Sequence, residues 1–406
     1  MAVGLSEPAN PAPVGGIRLA ACSAGIYRKQ RLDMVLFEMS RDSGCAAVFT
    51  QNAFCAAPVQ IARRHLAVIP HPRYLLINAG NANAGTGERG LFDARRTCEY
   101  LAEKGGCRPE EVLPFSTGVI GEYLPVDRLC QGVDAMLGRL DEHNWRDCSR
   151  AIMTTDTVAK SVSKQVVLDG RQVTLTGIAK GSGMIKPDMA TMLAFIATDA
   201  QLDHGLMQSM LQQSVNRSFN RITVDGDTST NDACVLVATG KSGVVIQAGN
   251  QERYSLFNAA LHEICLDLAQ AIIRDGEGAS KYLSITVSGG RNSLDCLRTA
   301  YAIAESPLVK TACHASDPNW GRILAAVGRA GILDLEIGRV SIQVNDVCIV
   351  AKGMRTPEYT EDQGKRAMLQ DEIFVTVDLG MGDAEETVWT CDLSAEYIRI
   401  NAEYRT

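Results

Sequence analysis

The 406-residue sequence lacks the features that mark several protein classes, and each absence removes an interpretation. It has no run of 18 or more apolar residues, which a transmembrane helix would need, and Met1–Pro13 lacks the basic start and apolar middle of a signal peptide. The net charge is −7 and no block of basic residues is present, which disfavours nucleic acid as a partner. We therefore expect a globular, cytoplasmic protein that acts on small molecules, away from membranes.

Metal-ligand and nucleophile motifs are missing as well. The thirteen cysteines are odd in number and include no CxxC pair, which indicates reduced core thiols rather than disulfides or zinc ligands. The six histidines show no HxxxH or His-Cys spacing, so we expect no metal and no bound cofactor. A GxSxG elbow is also absent; the sequence leaves a Ser-His-Asp triad open but gives it no anchor.

The sequence does contain enough apolar residues, 46% of the chain, to form two or three packed units of mixed α and β structure. Alternating apolar residues on both sides of Asp169-Gly170 predict a β-hairpin. Leucines and isoleucines at helical spacing predict one buried helix within 256–273, with its apolar stripe at Leu261, Ile264, Leu268 and Ile272. A Gly289-Gly290-Arg291-Asn292 turn predicts the start of a smaller C-terminal α/β unit.

One threonine, Thr191, lies between a glycine-rich loop and an apolar run of strand length. Its hydroxyl could attack the carbonyl of the preceding Ala190, convert that amide to an ester and let water cleave the chain. The product would begin with Thr191, whose α-amine has a pKa near 8 in model peptides and could act as a base beside the hydroxyl. An ordinary loop followed by a strand is the alternative interpretation of this pattern.

The segment KGSGMIKPDMATML around Thr191 resembles the signature of the ornithine acetyltransferase family, the bifunctional glutamate N-acetyltransferases of arginine biosynthesis. The resemblance extends from about Val14 to Thr406. It implies a mixed α/β (α+β) fold with an α-β-β-α sandwich like that of N-terminal-nucleophile hydrolases, followed by a smaller α/β domain. Residues 1–190 would form one fragment after cleavage, 191–288 would complete the sandwich, and 289–406 would form the smaller domain.

The resemblance also assigns site residues. The segment STGVIG matches the family's oxyanion loop, which places the oxyanion hole at Thr117 and Gly118, where a hydroxyl and a bare N–H suit acyl transfer. A plain turn is the alternative there, as solvated surface charges are for isolated lysines and glutamates. The family's substrate contacts map onto Thr154, Lys180, Thr191, Glu277, Asn401 and Thr406.

The resemblance implies a ping-pong glutamate N-acetyltransferase that takes acetyl from N2-acetylornithine onto Thr191 and passes it to glutamate. Acetyl-CoA is expected as a possible further donor and not as a bound cofactor. Two copies of each fragment would associate as a heterotetramer.

Two other functions stay open at this point. One is a self-processing aminopeptidase or amidase of the related N-terminal-nucleophile type, in which water replaces glutamate. The other is a non-catalytic nucleotide-binding module that uses residues Asn78–Gly87, although their glycine spacing matches neither GxGxxG nor GxxxxGK[ST]. Residues Asp225–Asp232 imitate the start of a calcium loop but lack its glycine and terminal glutamate, so they predict a hydrogen-bonded turn instead.

Overall fold

The computed structural model describes residues 2–27, 30–186 and 192–403 of the chain. The strands of this described part are β1 Ile17–Cys22, β2 Met34–Met39, β3 Gly44–Phe49, β4 Tyr74–Asn81, β5 Val112–Val119, β6 Lys160–Leu168, β7 Arg171–Lys180, β8 Leu193–Thr198, β9 Gln201–Leu202, β10 Ile222–Thr223, β11 Ala233–Ala238, β12 Val245–Ile246, β13 Tyr282–Gly290, β14 Ser341–Val344, β15 Val347–Ala351, β16 Met354–Arg355, β17 Glu372–Asp378 and β18 Ala384–Cys391.

Its helices are α1 Ala57–Val68, α2 Gly87–Gly105, α3 Val126–Leu137, α4 Trp145–Ala151, α5 His204–Asn216, α6 Gln251–Arg274, α7 Ser293–Ala304, α8 Pro307–His314, α9 Trp320–Gly328, α10 Glu361–Met368 and α11 Ala395–Ala402. The chain divides into two compact units. The larger contains Glu7–Asn220 and Asp227–Ile272, and the C-terminal unit contains the described part of Met1–Ser6, Arg221–Gly226 and Ile273–Thr406.

Two sheets pack face to face in the larger unit. Their strand orders are β1-β2-β4-β5 and β3-β11-β8-β7-β6. Aromatic rings join the facing sides: Phe195 of β8 lies 5.1 Å from Phe115 of β5 and 5.7 Å from Phe37 of β2, measured between ring centroids. Each strand that contributes to this interior is buried on its inward face, so the two sheets share one core.

Helices cover the outer faces of both sheets. Helices α1, α2 and α3 pack on the first sheet, where Ile61, Leu101 and Met136 join Leu36 and Leu76 in one buried cluster. On the second sheet, α6 approaches β7 so closely that a Cβ built on Gly177 would lie 3.0 Å from Leu268. The predicted α-β-β-α order is confirmed, since each sheet buries one face on the other and one face under helices.

The hairpin and the long helix also form where the sequence pattern predicted them. Asp169 and Gly170 connect β6 to β7 with φ of 49° and 74°, the left-handed pair that a two-residue hairpin turn requires. The four stripe residues of α6 are fully buried. Helix α6 is long and apolar enough to cross a membrane by composition, but 56% of its most apolar window is buried inside the fold, as in a core helix of a globular protein.

The C-terminal unit is an α/β layer built on a seven-stranded sheet of order β10-β18-β13-β17-β14-β15-β16. Helices α7 to α10 contribute to its single core cluster. Strand β17 alternates buried and exposed residues, so its sheet has one covered and one open face. This unit already includes Ile273 and the start of β13 at Tyr282, both before position 289, where the glycine-rich turn predicted the smaller domain to begin.

Candidate active site

The structure describes six of the nine predicted site residues. Ala190, Thr191 and Thr406 lie outside the described residues. Of the others, Thr117, Gly118, Thr154 and Lys180 belong to the larger unit, and Glu277 and Asn401 belong to the C-terminal unit.

The predicted oxyanion residues end strand β5, beside a bulge in β4. Gly80 pairs with Gly118, and Asn81 then pairs with residues on both sides of it, so the register shifts at this point. Gly118 has φ of 131°, and a Cβ built on it would lie 2.3 Å from the Gly80 carbonyl carbon and 2.6 Å from the Asn81 nitrogen. Only glycine fits there, and the strand end therefore has a bare backbone N–H beside the buried Thr117.

Side-chain amides hold this strand end in place. The Asn231 Nδ2 donates to the carbonyl oxygens of Ser116 at 2.9 Å and Ala82 at 2.6 Å. The Ser116 hydroxyl donates to Asn78 Oδ1 at 2.6 Å. Asn231 is 6% exposed and Asn78 2%, so both work where water is excluded. The segment 225–232, for which the sequence predicted a hydrogen-bonded turn, thus supplies through Asn231 two hydrogen bonds beside the predicted oxyanion residues.

The hydrogen bonds of the asparagine side chains within residues 78–87 argue against a nucleotide-binding loop there. Asn83 is fully buried, and its Nδ2 donates to the Gly90 carbonyl while its Oδ1 accepts from the Thr86 hydroxyl. Asn81 donates to the carbonyls of Glu122 and Tyr123. These groups are engaged inside the protein, which is what a tight packing loop requires and a phosphate cradle does not.

Lys180 and Thr154, two predicted substrate residues, meet in the larger unit. The Lys180 Nζ donates to the Thr154 hydroxyl at 3.5 Å. The Asp156 carboxylate organises this corner, because it accepts from the backbone N–H groups of Thr154 at 2.9 Å and Gly181 at 2.8 Å and from Lys160 Nζ at 2.6 Å. Lys180 is only 6% exposed, so the interpretation of it as a solvated surface charge is wrong.

The pKa values of two buried carboxyl groups near Lys180 shift in opposite directions. Burial opposes the charge of Asp156, but Lys160 and Lys180 together outweigh it and hold the pKa of this carboxyl well below its usual range. For Asp232, burial dominates and raises the pKa well above its usual range, despite the lowering effects of Lys180, the Met192 N–H and the Ser229 hydroxyl. The lysines thus favour the charged form of Asp156, whereas burial favours the protonated form of Asp232.

Asp232 lies next to the residue that follows Thr191 in the chain. Strands β11 and β8 run parallel, with Ala233 opposite Leu193, and the Ala233 N–H donates to the Met192 carbonyl at 3.1 Å. The Met192 N–H in turn donates to the Asp232 carboxyl. Hydrogen bonds to the carbonyl of Met192 and from its N–H therefore fix the described start of the strand that follows Thr191.

In the C-terminal unit, Glu277 and Asn401 are brought together. The Asn401 Nδ2 donates to Glu277 Oε2 at 2.7 Å, and Glu277 is 6% exposed. Asn401 belongs to α11, whose neighbouring Tyr397 donates its hydroxyl to Asp225 at 3.1 Å. Asn401 thus lies in an ordered helix, and Glu277, for which the resemblance predicted a substrate contact, is a buried carboxylate.

Ser280, three residues after Glu277, forms a cluster with His314 and Asp392. Asp392 Oδ2 accepts from the Ser280 hydroxyl at 2.5 Å and lies 2.8 Å from His314 Nδ1, which is 3.2 Å from the same hydroxyl. A nucleophile triad has the histidine between serine and aspartate, with the serine on its other nitrogen. Here the serine and the histidine both contact the same oxygen of the aspartate, so the cluster connects three parts of the chain and is not a catalytic triad.

Among the described residues, no group of three or more His, Cys, Asp and Glu side chains is arranged to hold a metal ion. All thirteen cysteines are free thiols, and nine of them are buried.

Comparison with known proteins gives the family. The ArgJ family model matches residues 18–406. The chain belongs to the ArgJ family. The arginine biosynthesis bifunctional protein ArgJ of Pseudomonas fluorescens is 52% identical over 407 residues and covers 100% of both chains. The protein of the same name from Methylococcus capsulatus is 55% identical over 394 residues, which is 97% of this chain and 96% of that one.

Solved structures include the crystal structure of ArgJ from Bacillus halodurans, which is 37% identical, covers 51% of this chain and 97% of its own, and superposes with a TM-score of 0.49. The predicted family is confirmed, and this ArgJ-family chain is an acyltransferase of arginine biosynthesis.

Several residues of the site escaped the sequence interpretation. Asp156 stands two positions after Thr154, and Asn231 and Asp232 end the turn at 225–232, so their neighbours were noticed but their contacts were not. Asp392 carried no local signal at all, because its partners lie 78 and 112 positions away along the chain.

Proposed function

We propose that this ArgJ-family protein transfers the acetyl group of N2-acetylornithine to glutamate through an acetyl ester on Thr191. The observation that carries the proposal is the full-length match, at 52% identity, to a protein named as bifunctional in arginine biosynthesis. The braced glycine at the end of β5 and the buried charges of Lys180 and Glu277 support it, since acyl transfer between amino acids needs an oxyanion site and charged recognition groups.

The first step is cleavage of the chain between Ala190 and Thr191. The Thr191 hydroxyl oxygen bonds to the Ala190 carbonyl carbon, the peptide C–N bond breaks, and the proton passes to the freed α-amine. Water then hydrolyses the resulting ester, which releases the fragment ending at Ala190 and leaves Thr191 as the first residue of the second fragment.

Transfer then follows two matched half-reactions. The Thr191 α-amine takes the hydroxyl proton while the oxygen attacks the acetyl carbonyl of N2-acetylornithine. Thr117 and Gly118 donate to the developing oxyanion, and ornithine leaves with the proton on its α-amine. The glutamate α-amine next attacks acetyl-Thr191 and regenerates the hydroxyl, which gives ping-pong kinetics.

The charged side chains supply recognition in this proposal. Lys180 and Thr154 bind the substrate α-carboxylate, and Glu277 with Asn401 binds the distal ammonium of ornithine. Thr406 is the further contact that the resemblance assigned. In this proposal acetyl-CoA serves as a second acetyl donor, from which the enzyme makes N-acetylglutamate. Two copies of each fragment associate as a heterotetramer. The enzyme works in the cytoplasm.

Self-cleavage is tested by intact-mass analysis of purified protein. We expect two fragments that sum to about the 43.8 kDa of the uncut chain, the second beginning at Thr191. Thr191→Ala should give one uncut chain with no transferase activity, whereas Thr191→Ser, which retains a hydroxyl, should still be cut. Cleavage of the alanine variant at the same bond would show that another residue is the nucleophile.

Transfer is tested by incubating the enzyme with N2-acetylornithine in the presence and absence of glutamate. We expect N-acetylglutamate to form in proportion to ornithine, with the acetyl group trapped on the Thr191 fragment when glutamate is omitted. If acetate appears as the main product whether or not glutamate is present, water is the acceptor and the chain is an amidase of the N-terminal-nucleophile type.

A further inference from the structure

The segment that contains Glu277 is fastened to the rest of its unit by one buried carboxylate. Asp392 accepts from the backbone N–H groups of Ser280 at 2.8 Å and Lys281 at 2.9 Å through Oδ1. Its Oδ2 accepts from the Ser280 hydroxyl at 2.5 Å and contacts His314 Nδ1 at 2.8 Å. The side chain of Asp392 is 0% exposed, so its carboxylate is shielded from water although His314 is 41% exposed.

The turn and helix after Asp392 hold the same segment at two further points. The Ser394 hydroxyl donates to the Gly278 carbonyl at 2.7 Å, and Asn401 donates to Glu277 Oε2 at 2.7 Å. Gly278 has φ of 70°, and a Cβ built on it would lie 2.5 Å from the Tyr397 nitrogen. The backbone at 277–281 is therefore fitted against α11 and the Asp392 carboxylate at consecutive residues.

We propose that Asp392 is a positioning residue for substrate recognition: it holds Glu277 where that carboxylate meets the distal ammonium of N2-acetylornithine. The inference rests on the proposed function and goes beyond it, because Asp392 touches no substrate and carries no chemistry of acetyl transfer. Its two bonds to backbone N–H groups fix the chain on the C-terminal side of Glu277, and Asn401 orients the carboxylate itself.

This arrangement makes a specific demand on selectivity. Loss of Asp392 lets the Glu277 segment move, which weakens only the contact to a charged side-chain end. Acetyl transfer from an analogue that lacks the ammonium does not use that contact and is unaffected. A residue that merely stabilised the fold would lower activity on both substrates alike, so the ratio between them separates the two roles.

The test compares kcat/KM for N2-acetylornithine with kcat/KM for N-acetylnorvaline, which has the same carbon chain without the ammonium. Glu277→Gln removes the charge of this contact and gives the reference value for its complete loss. It should reduce the ratio of the two kcat/KM values about tenfold or more. We expect Asp392→Ala to lower the ratio to a similar extent. Asp392→Asn retains an acceptor for the two backbone N–H groups, so its ratio should fall between those of Asp392→Ala and the wild type.

Asp295→Asn serves as the matched control, because Asp295 of helix α7 is also a buried aspartate of this unit and forms an ion pair with Arg291. It should leave the ratio unchanged. If both Asp392 variants reduce the two kcat/KM values by the same factor, the positioning role is refuted. If the wild type fails to release ornithine from N2-acetylornithine, the proposed function itself fails and the inference with it.

Discussion

Replacement of Asn231 tests how the oxyanion loop is held. The Asn231 amide donates to the buried carbonyl oxygens of Ser116 at 2.9 Å and Ala82 at 2.6 Å, so Asn231→Ala removes both hydrogen bonds. Each unsatisfied buried acceptor costs about 1–3 kcal/mol, so the variant should lose about 2–6 kcal/mol of stability. Because Ser116 precedes Thr117 in β5, we also expect kcat to fall at least tenfold while KM changes less.

The assay combines calorimetric unfolding with steady-state kinetics on N2-acetylornithine and glutamate. Asn231→Asp retains the side-chain volume but turns acceptor oxygens towards the two carbonyls, so it should be at least as damaging as Asn231→Ala. Gln212→Ala is the control, since it removes one exposed side-chain hydrogen bond to Asn216 in the same unit and should change stability by less than about 0.5 kcal/mol. An Asn231→Ala enzyme with wild-type kcat and unfolding temperature would refute the bracing role.

Three further changes have definite outcomes. Gly118→Ala should reduce kcat about 100-fold or more, since its Cβ meets the β4 backbone and displaces an oxyanion donor; normal kinetics would contradict that contact. Asp156→Asn removes a carboxylate whose pKa is lowered by folding, so its stability deficit should be full at neutral pH and shrink below about pH 4, the unfolded carboxyl range, in denaturation curves taken across pH. Asp232→Asn should do the reverse: because burial raises the pKa of the wild-type carboxyl in the fold, the wild type loses stability as pH rises above about 4, by up to about 1.4 kcal/mol per pH unit, and the amide variant does not. Parallel stability curves for Asp232→Asn and the wild type would show that Asp232 is ionised in the fold.

Local patterns predicted the elements that depend on near neighbours. The Asp169-Gly170 hairpin forms because two adjacent residues accept left-handed φ, and α6 forms because its apolar residues recur on one face. The family resemblance predicted the layered sandwich and, one by one, the candidate substrate residues Thr154, Lys180, Glu277 and Asn401. Only the structure showed that Lys180 meets Thr154 and that Asn401 meets Glu277. Their roles in binding substrate remain predictions, as do those of Thr191 and Thr406.

The left-handed position in the loop before Thr191 was less accessible to this reasoning. Gly181 and Gly183 are the residues that tolerate positive φ most readily, yet Met184 has φ of 56°. An unbranched side chain pays a modest penalty in that conformation, and the surrounding structure decides where the turn falls. The sequence pattern therefore predicted a glycine-rich loop but did not identify Met184 as its residue with a left-handed backbone conformation.

The sequence by itself determined the family, the candidate nucleophile and the types of residue available for acyl transfer, because these reside in short motifs that keep their chemistry in any surroundings. Tertiary structure alone decided how the pKa values of the carboxyl groups shift and which loops are held. Asp156 and Asp232 are the same residue type, but nearby lysines lower the pKa of Asp156 and burial raises that of Asp232. Asn231 and Asp392 matter through partners more than 75 positions distant, and such contacts exist only once the chain is folded.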